Sequence, residues 1–167
     1  DLNKVISHLK KSDPILTQSK YVNLFEKKWS KWLGVKYSVF VNSGSSANLI
    51  SMFILKTLNP NGGEVLLPSL TWSSDVSAVL HTGFKPIFID IDIDTLSMNN
   101  NEILKKINSK TKAVFLSHIQ GFSGLSDDLL KVLKKRKIML IEDVCESHGA
   151  KHKKKKLGTF GAMSNFS

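Results

Sequence analysis

Cysteine, proline and acidic residues are scarce in this chain. Its 167 residues include one cysteine, Cys145, which excludes an internal disulfide framework and fits a reducing compartment. Four prolines and ten glycines leave no linker-like or low-complexity stretch. No apolar run reaches the roughly 20 residues that a membrane-spanning helix needs, so no membrane association is expected. Asp1-Leu-Asn-Lys-Val5 has neither the basic nor the apolar stretch of a secretory leader, and the expected location is cytoplasmic. The 14 acids face 24 lysines and arginines, for a net charge of +10.

Much of that excess lies in two runs, Lys131–Lys137 and Lys151–Lys156. They read as a solvated helix end, where cations suit the macrodipole, and a solvated turn. Nucleic-acid binding would need an accompanying aromatic or Gly-rich motif, and the lysines have none. A non-catalytic basic binding module is therefore only an alternative. It would require a salt-dependent affinity for nucleic acid that neutralising Lys153–Lys156 abolishes.

Length and a hydrophobic fraction of 41% suit one domain with a sizeable core. Strand and helix patterns alternate, which predicts a three-layer α/β/α fold with a mostly parallel sheet. Val22, Phe25, Trp29 and Trp32 recur at helical spacing within 19–33, as packing residues, and Gly34 is the expected stop. Helices are also expected at 45–58, 73–81, 100–107 and 127–135, the last capped by Ser126. Strands are expected at 37–41, 64–67, 86–90, 112–116, 138–141 and 163–167. Residues 1–34 read as an amino-terminal helical segment and 35–167 as part of a larger α/β domain.

The chemistry-bearing residues gather where these strands end. Ile138-Met-Leu-Ile-Glu-Asp143 is an apolar run that delivers Asp143 at a strand's carboxyl end, where open α/β sheets bind ligands. Asn42-Ser-Gly-Ser-Ser-Ala47 is a small-residue turn entering a helix, able to offer N–H and hydroxyl donors to an anion. It would serve equally as a capped helix start with no ligand. Trp72 follows a strand and could stack on a planar ring or simply pack. His118 ends another strand and reads first as a structural histidine; His148 has similar standing. His81 and His152 read as surface residues and Cys145 as a small buried one. Asp90, Asp92 and Asp94 alternate and would share one face if the strand continued, yet solvated turn acids are the expectation and no metal site is indicated.

Together these residues resemble the DegT/StrS-type sugar aminotransferases, of fold type I among pyridoxal phosphate enzymes. The resemblance runs from Leu16 to Ser167. It is carried by Asn42–Ala47, Glu64–Trp72, Thr82–Pro86 with Phe88–Asp92, Ile141–Asp143, Ser147–Ala150 and Leu157–Gly161, in that order. It implies pyridoxal 5'-phosphate, in its pyridoxamine 5'-phosphate form during turnover, as cofactor. Gly44, Ser45, Ser46 and Ser167 would hold the phosphate, Trp72 would stack on the ring, and Asp143 would pair with the ring nitrogen. Glu146 would face the phenolic oxygen, where a glutamine is usual. The resemblance also implies a nucleotide-linked keto-sugar substrate, an amino-acid donor and a full-length homodimer. The family's Schiff-base lysine would lie beyond Ser167, so no catalytic residue is assigned here and the chain alone is expected to be inactive. An acid at position 146 is similar to the sugar 3-dehydratases of the same family, which carry histidine in place of that lysine.

Overall fold

The computed structural model describes residues 1–167, which divide into two compact units, Asp1–Phe40 and Val41–Ser167. The first unit holds α1 (Leu2–Leu9) and α2 (Lys20–Leu33). Within the helical segment expected at 1–34, the sequence pattern located α2 but not α1. α2 starts at Ser19, whose side chain accepts the Tyr21 N–H at 3.3 Å, and stops at Gly34, whose φ of +90° suits glycine. Trp29 lies between Phe25 and Trp32, with ring centroids 5.7 and 4.8 Å away, and Trp32 stays 41% exposed.

Residues 37–41 are not a strand. A strand needs a neighbour to receive its backbone groups, and here the Phe40 N–H donates to the Glu26 carboxylate at 2.8 Å instead. The pattern of Tyr37, Val39 and Val41 suggested a strand, but periodicity cannot supply the partner.

The second unit runs α3 (Gly44–Leu58), β1 (Glu64–Pro68), α4 (Ser73–His81), β2 (Lys85–Ile89), α5 (Asn100–Lys106), β3 (Thr111–Ser117), α6 (Asp127–Arg136) and β4 (Met139–Asp143). A hairpin, β5 (Lys151–His152) and β6 (Lys155–Lys156), precedes β7 (Met163–Asn165). Five strands form one sheet in the order β2-β1-β3-β4-β7, and every pairing in it is parallel. The chain steps from β1 to β2 on one side and then crosses to β3 on the other. That reversal opens a crevice beyond the carboxyl ends of β1 and β3.

The core is two layers sorted by strand periodicity. Val65, Leu67, Ala113, Phe115 and Ile141 pack with Met52 and Leu55 of α3 and Ala78 and Val79 of α4. The alternate positions Leu66, Val114, Leu116 and Leu140 pack with Ile103 of α5 and Leu129 and Leu133 of α6. Burial on both faces explains why these strands read as continuous apolar runs.

The strand before Asp90 ends at Ile89, and Asp92 turns back to accept the Asp94 and Thr95 N–H groups, so the three acids share no strand face and are the turn acids expected. Two further expectations change. His152 is not a surface residue: its side chain is 15% exposed, beside Asp127 and edge-on to Phe160. Cys145 is half-buried rather than enclosed. His81 is exposed, as expected.

Ser126 caps α6 by accepting the Leu129 N–H at 3.2 Å, while the Leu129 side chain is fully buried. Ser126→Ala should cost about 1 kcal/mol and Leu129→Ala about 2–5 kcal/mol in urea unfolding, with the order of the two unchanged by salt.

Candidate active site

β4 ends in two acids that point to opposite sides of the sheet, as adjacent strand residues must. Glu142 is fully buried and serves structure. Its carboxylate accepts the N–H groups of Gly158 at 2.8 Å, Phe160 at 2.8 Å and Gly161 at 2.6 Å, and stands 3.1 Å from His118 Nε2. Gly124 donates its N–H to His118 Nδ1, which leaves the ring proton on Nε2, facing Glu142. His118 is thus the structural histidine expected from the sequence, 2% exposed. Burial works to raise the Glu142 carboxyl, but the bonds from His118, Gly158 and Gly161 outweigh it and hold the group below the usual carboxylate range.

Asp143 faces the other way, toward α3 and α4. It is 4% exposed; its Oδ1 accepts the Cys145 N–H at 2.9 Å and its Oδ2 lies 3.4 Å from Asn48 Nδ2. The same Asn48 amide donates to Asp75 Oδ1 at 2.6 Å, and Asn48 Oδ1 accepts from Asn165 Nδ2 at 2.8 Å. Asn165 in turn accepts from Ser51 at 2.9 Å. Asp75 Oδ2 accepts from Thr71 and from Ser117, the latter at 3.0 Å, and these two hydroxyls lie 2.9 Å apart. No buried side-chain nitrogen or oxygen lacks a partner. Burial first, and then the neighbouring Asp143, push the Cys145 thiol up, which makes it a poor nucleophile.

The small-residue turn meets this network from α3. Ser43 caps the helix by accepting the Ser46 N–H at 3.1 Å, and its hydroxyl also lies 3.1 Å from that of Ser46. The first N–H groups, of Gly44 and Ser45, have no partner within a helix by its geometry. Gly44 is required by contact: a Cβ there would lie 2.8 Å from Ser167 Cβ and 3.2 Å from its hydroxyl. Residues 44 and 167 are therefore neighbours, although 123 positions separate them. Trp72, directly before α4, is 60% exposed. Glu146 is exposed as well, accepting the Gln120 N–H at 3.3 Å. His148 lies against Phe166, with ring centroids 5.6 Å apart.

Asp75, Asn48, Ser51, Ser117 and Asn165 were not picked out from the sequence as site residues. The signal was there. Asn48 and Ser51 lie on the same stripe of α3 as Met52 and Leu55, and Asp75 on the stripe of α4 with Ala78 and Val79. A polar residue on a buried stripe must have buried partners.

A parallel, doubly covered sheet, with a capped small-residue turn, an exposed indole and a buried acid at one rim, defines an α/β/α protein of the fold type I kind. The chain belongs to the DegT/DnrJ/EryC1/StrS aminotransferase family, whose model matches residues 1–167. It is 35% identical over 157 residues to the GDP-4-keto-6-deoxy-D-mannose 3-dehydratase of Escherichia coli O55:H7, covering 92% of this chain and 40% of that protein. It is also 35% identical over 153 residues to the GDP-perosamine synthase of Escherichia coli O157:H7, covering 92% and 42%. A solved structure of the E. coli GDP-4-keto-6-deoxy-D-mannose-3-dehydratase with bound hydrated PLP superposes with a TM-score of 0.85 at 36% identity, covering 90% of this chain and 40% of that one. The chain thus spans about two fifths of the length of these relatives.

Because Glu142 is held below its ordinary value, its stabilisation is complete above about pH 4.5 and is lost as pH falls through the lowered folded value. Glu142→Gln should cost about 2–3 kcal/mol at neutral pH, since an amide cannot accept at both ends. Urea unfolding at stepped pH should show that this variant loses less stability than the parent on acidification.

Proposed function

We propose that this chain is the amino-terminal part of a pyridoxal phosphate enzyme acting on a nucleotide-linked keto-sugar, and that its reaction is transfer of an amino group from an amino-acid donor. In this reading, residues 1–34 are a helical segment and residues 35–167 part of the cofactor-binding large domain. The observation that carries it is the meeting of Gly44 and Ser167 at the start of α3, on the rim that also holds Asp143. This cradle fits a phosphate, because backbone and hydroxyl donors converge where any larger residue than glycine would intrude.

The residues would divide the work as follows. The first-turn N–H groups of α3, with Ser45, Ser46 and Ser167, would bind the phosphate. Trp72 would lie against the ring, its exposed face available for stacking. Asp143, fixed by the Cys145 N–H, would keep a proton on the ring nitrogen. When bound, the cofactor supplies an electron sink for bond breaking next to an amine. Two lysines of 151–156 have other partners: Lys153 pairs with Asp127 and Lys155 donates to the Thr159 carbonyl at 2.8 Å. The full-length enzyme would be a homodimer, a reading supported by the half-exposed Ile50, Phe53 and Ile54 on the outer face of α3.

Glu146 favours a second reading, a pyridoxamine phosphate-dependent 3-dehydratase on the same scaffold. An acid stands there where the aminotransferases usually carry glutamine, and the E. coli 3-dehydratase is as similar to this chain as the synthase is.

Titrating the chain with pyridoxal phosphate should quench Trp72 fluorescence, and Gly44→Ala should weaken that binding at least about tenfold by displacing Ser167. No borohydride-stable adduct with an active-site lysine should form. Mass spectrometry of products from the full-length enzyme, given a nucleotide-linked 4-keto-sugar and glutamate, separates the two chemistries: an amino-sugar supports transfer, and a 3-deoxy sugar overturns it in favour of dehydration.

A further inference from the structure

The rim holds a second carboxyl group that the reading above leaves without a role. Asp75 lies in the first turn of α4, fully buried, and touches groups from three other parts of the fold. Asn48 of α3 donates to one oxygen at 2.6 Å, while Ser117 of β3, at 3.0 Å, and Thr71 of the β1–α4 loop donate to the other. The Asn48 amide also spans Asp75 and Asp143 of β4, 2.6 Å from the first carboxyl and 3.4 Å from the second. Carboxylate oxygens only accept. Two carboxyl groups that share one buried amide therefore repel each other unless one of them carries a proton.

The titratable groups facing Asp75 are Asp143 and the Cys145 thiol, both acids, and its other partners are a neutral amide and two hydroxyls. With both carboxyls ionised, the pocket would bury two negative charges with no cation among these neighbours, a costly arrangement. Burial first, then the charge of Asp143, move Asp75 up from its ordinary value to about 7. Asp75 is the more deeply buried of the two, fully enclosed where Asp143 keeps some exposure, so the proton belongs on Asp75.

We propose that Asp75 is a positioning residue for Asp143: it holds a proton in the buried pocket that the two acids share through Asn48, so the pair carries one negative charge, aimed by Asp143. The role rests on the cofactor reading only in what that charge meets. One anion matches one protonated ring nitrogen, whereas a protonated Asp143 would offer that nitrogen no counter-ion. The folded state binds this proton more tightly than the unfolded chain, so Asp75 favours folding at low pH and that contribution fades as pH rises from about 4 through about 7.

The test uses the 167-residue chain without cofactor, following the Asp75 side-chain carboxyl carbon by NMR against pH. The expected midpoint is about 7. Thr71→Val, which removes a hydroxyl that steadies the anion, should raise the midpoint by about one unit, and Asp143→Asn should lower it. A merely structural Asp75 would titrate in the ordinary range near about 4, and that result overturns the proposal, as does a midpoint that neither substitution moves. Asp75→Asn, which mimics the protonated acid, should abolish the loss of stability between about pH 4 and 7 in urea unfolding. Pyridoxal phosphate binding is measured separately. A chain that titrates as expected but takes no cofactor at any pH counts against the cofactor reading and leaves the buried proton standing.

Discussion

One buried amide holds the rim together. Asn48 uses its Nδ2 toward Asp75 and Asp143 and its Oδ1 toward Asn165, and so joins α3 to α4, β4 and β7. A polar group without water must find partners in the protein, and a missing partner costs about 1–3 kcal/mol. The first turns of α3 and α4 and the ends of β3, β4 and β7 must therefore meet in one register. That requirement brings Gly44 beside Ser167 and sets Asp143 at the edge of the same network.

Adjacent acids divide structure from chemistry because strand side chains alternate. Glu142 points to the α5/α6 side, where it gathers three backbone N–H groups and His118 and so fixes the turn from Gly158 to Gly161 that leads into β7. Asp143 points to the α3/α4 side, at the crevice where the strand order reverses. A one-residue slip in β4 would exchange these environments, but the buried apolar layers on both faces forbid it.

Two chemistries are found among proteins equally similar to this chain, a 3-dehydratase and a synthase. In the proposed reading, the phosphate cradle, the stacking surface and the acid for the ring nitrogen would serve either chemistry, whichever bond of the sugar is altered. Glu146 stands apart from that shared equipment: it is exposed, and its carboxylate rests on the Gln120 N–H rather than in the buried network.

Local pattern was enough for most of the framework. The sequence determined α4 at its observed bounds, the Ser126 cap and the Gly34 stop, because helix periodicity and caps are properties of neighbouring residues. It also determined that Asp143 ends a buried strand, because a doubly covered strand is apolar throughout. It could not determine that residues 37–41 lack a strand partner, that His152 is drawn in beside Asp127 and Phe160, or that Asp75 lies against Asp143. Each of these depends on which distant group comes within hydrogen-bond or packing distance. For Asp75 and Asp143, 68 residues apart, only the packing of α4 on the sheet decides it.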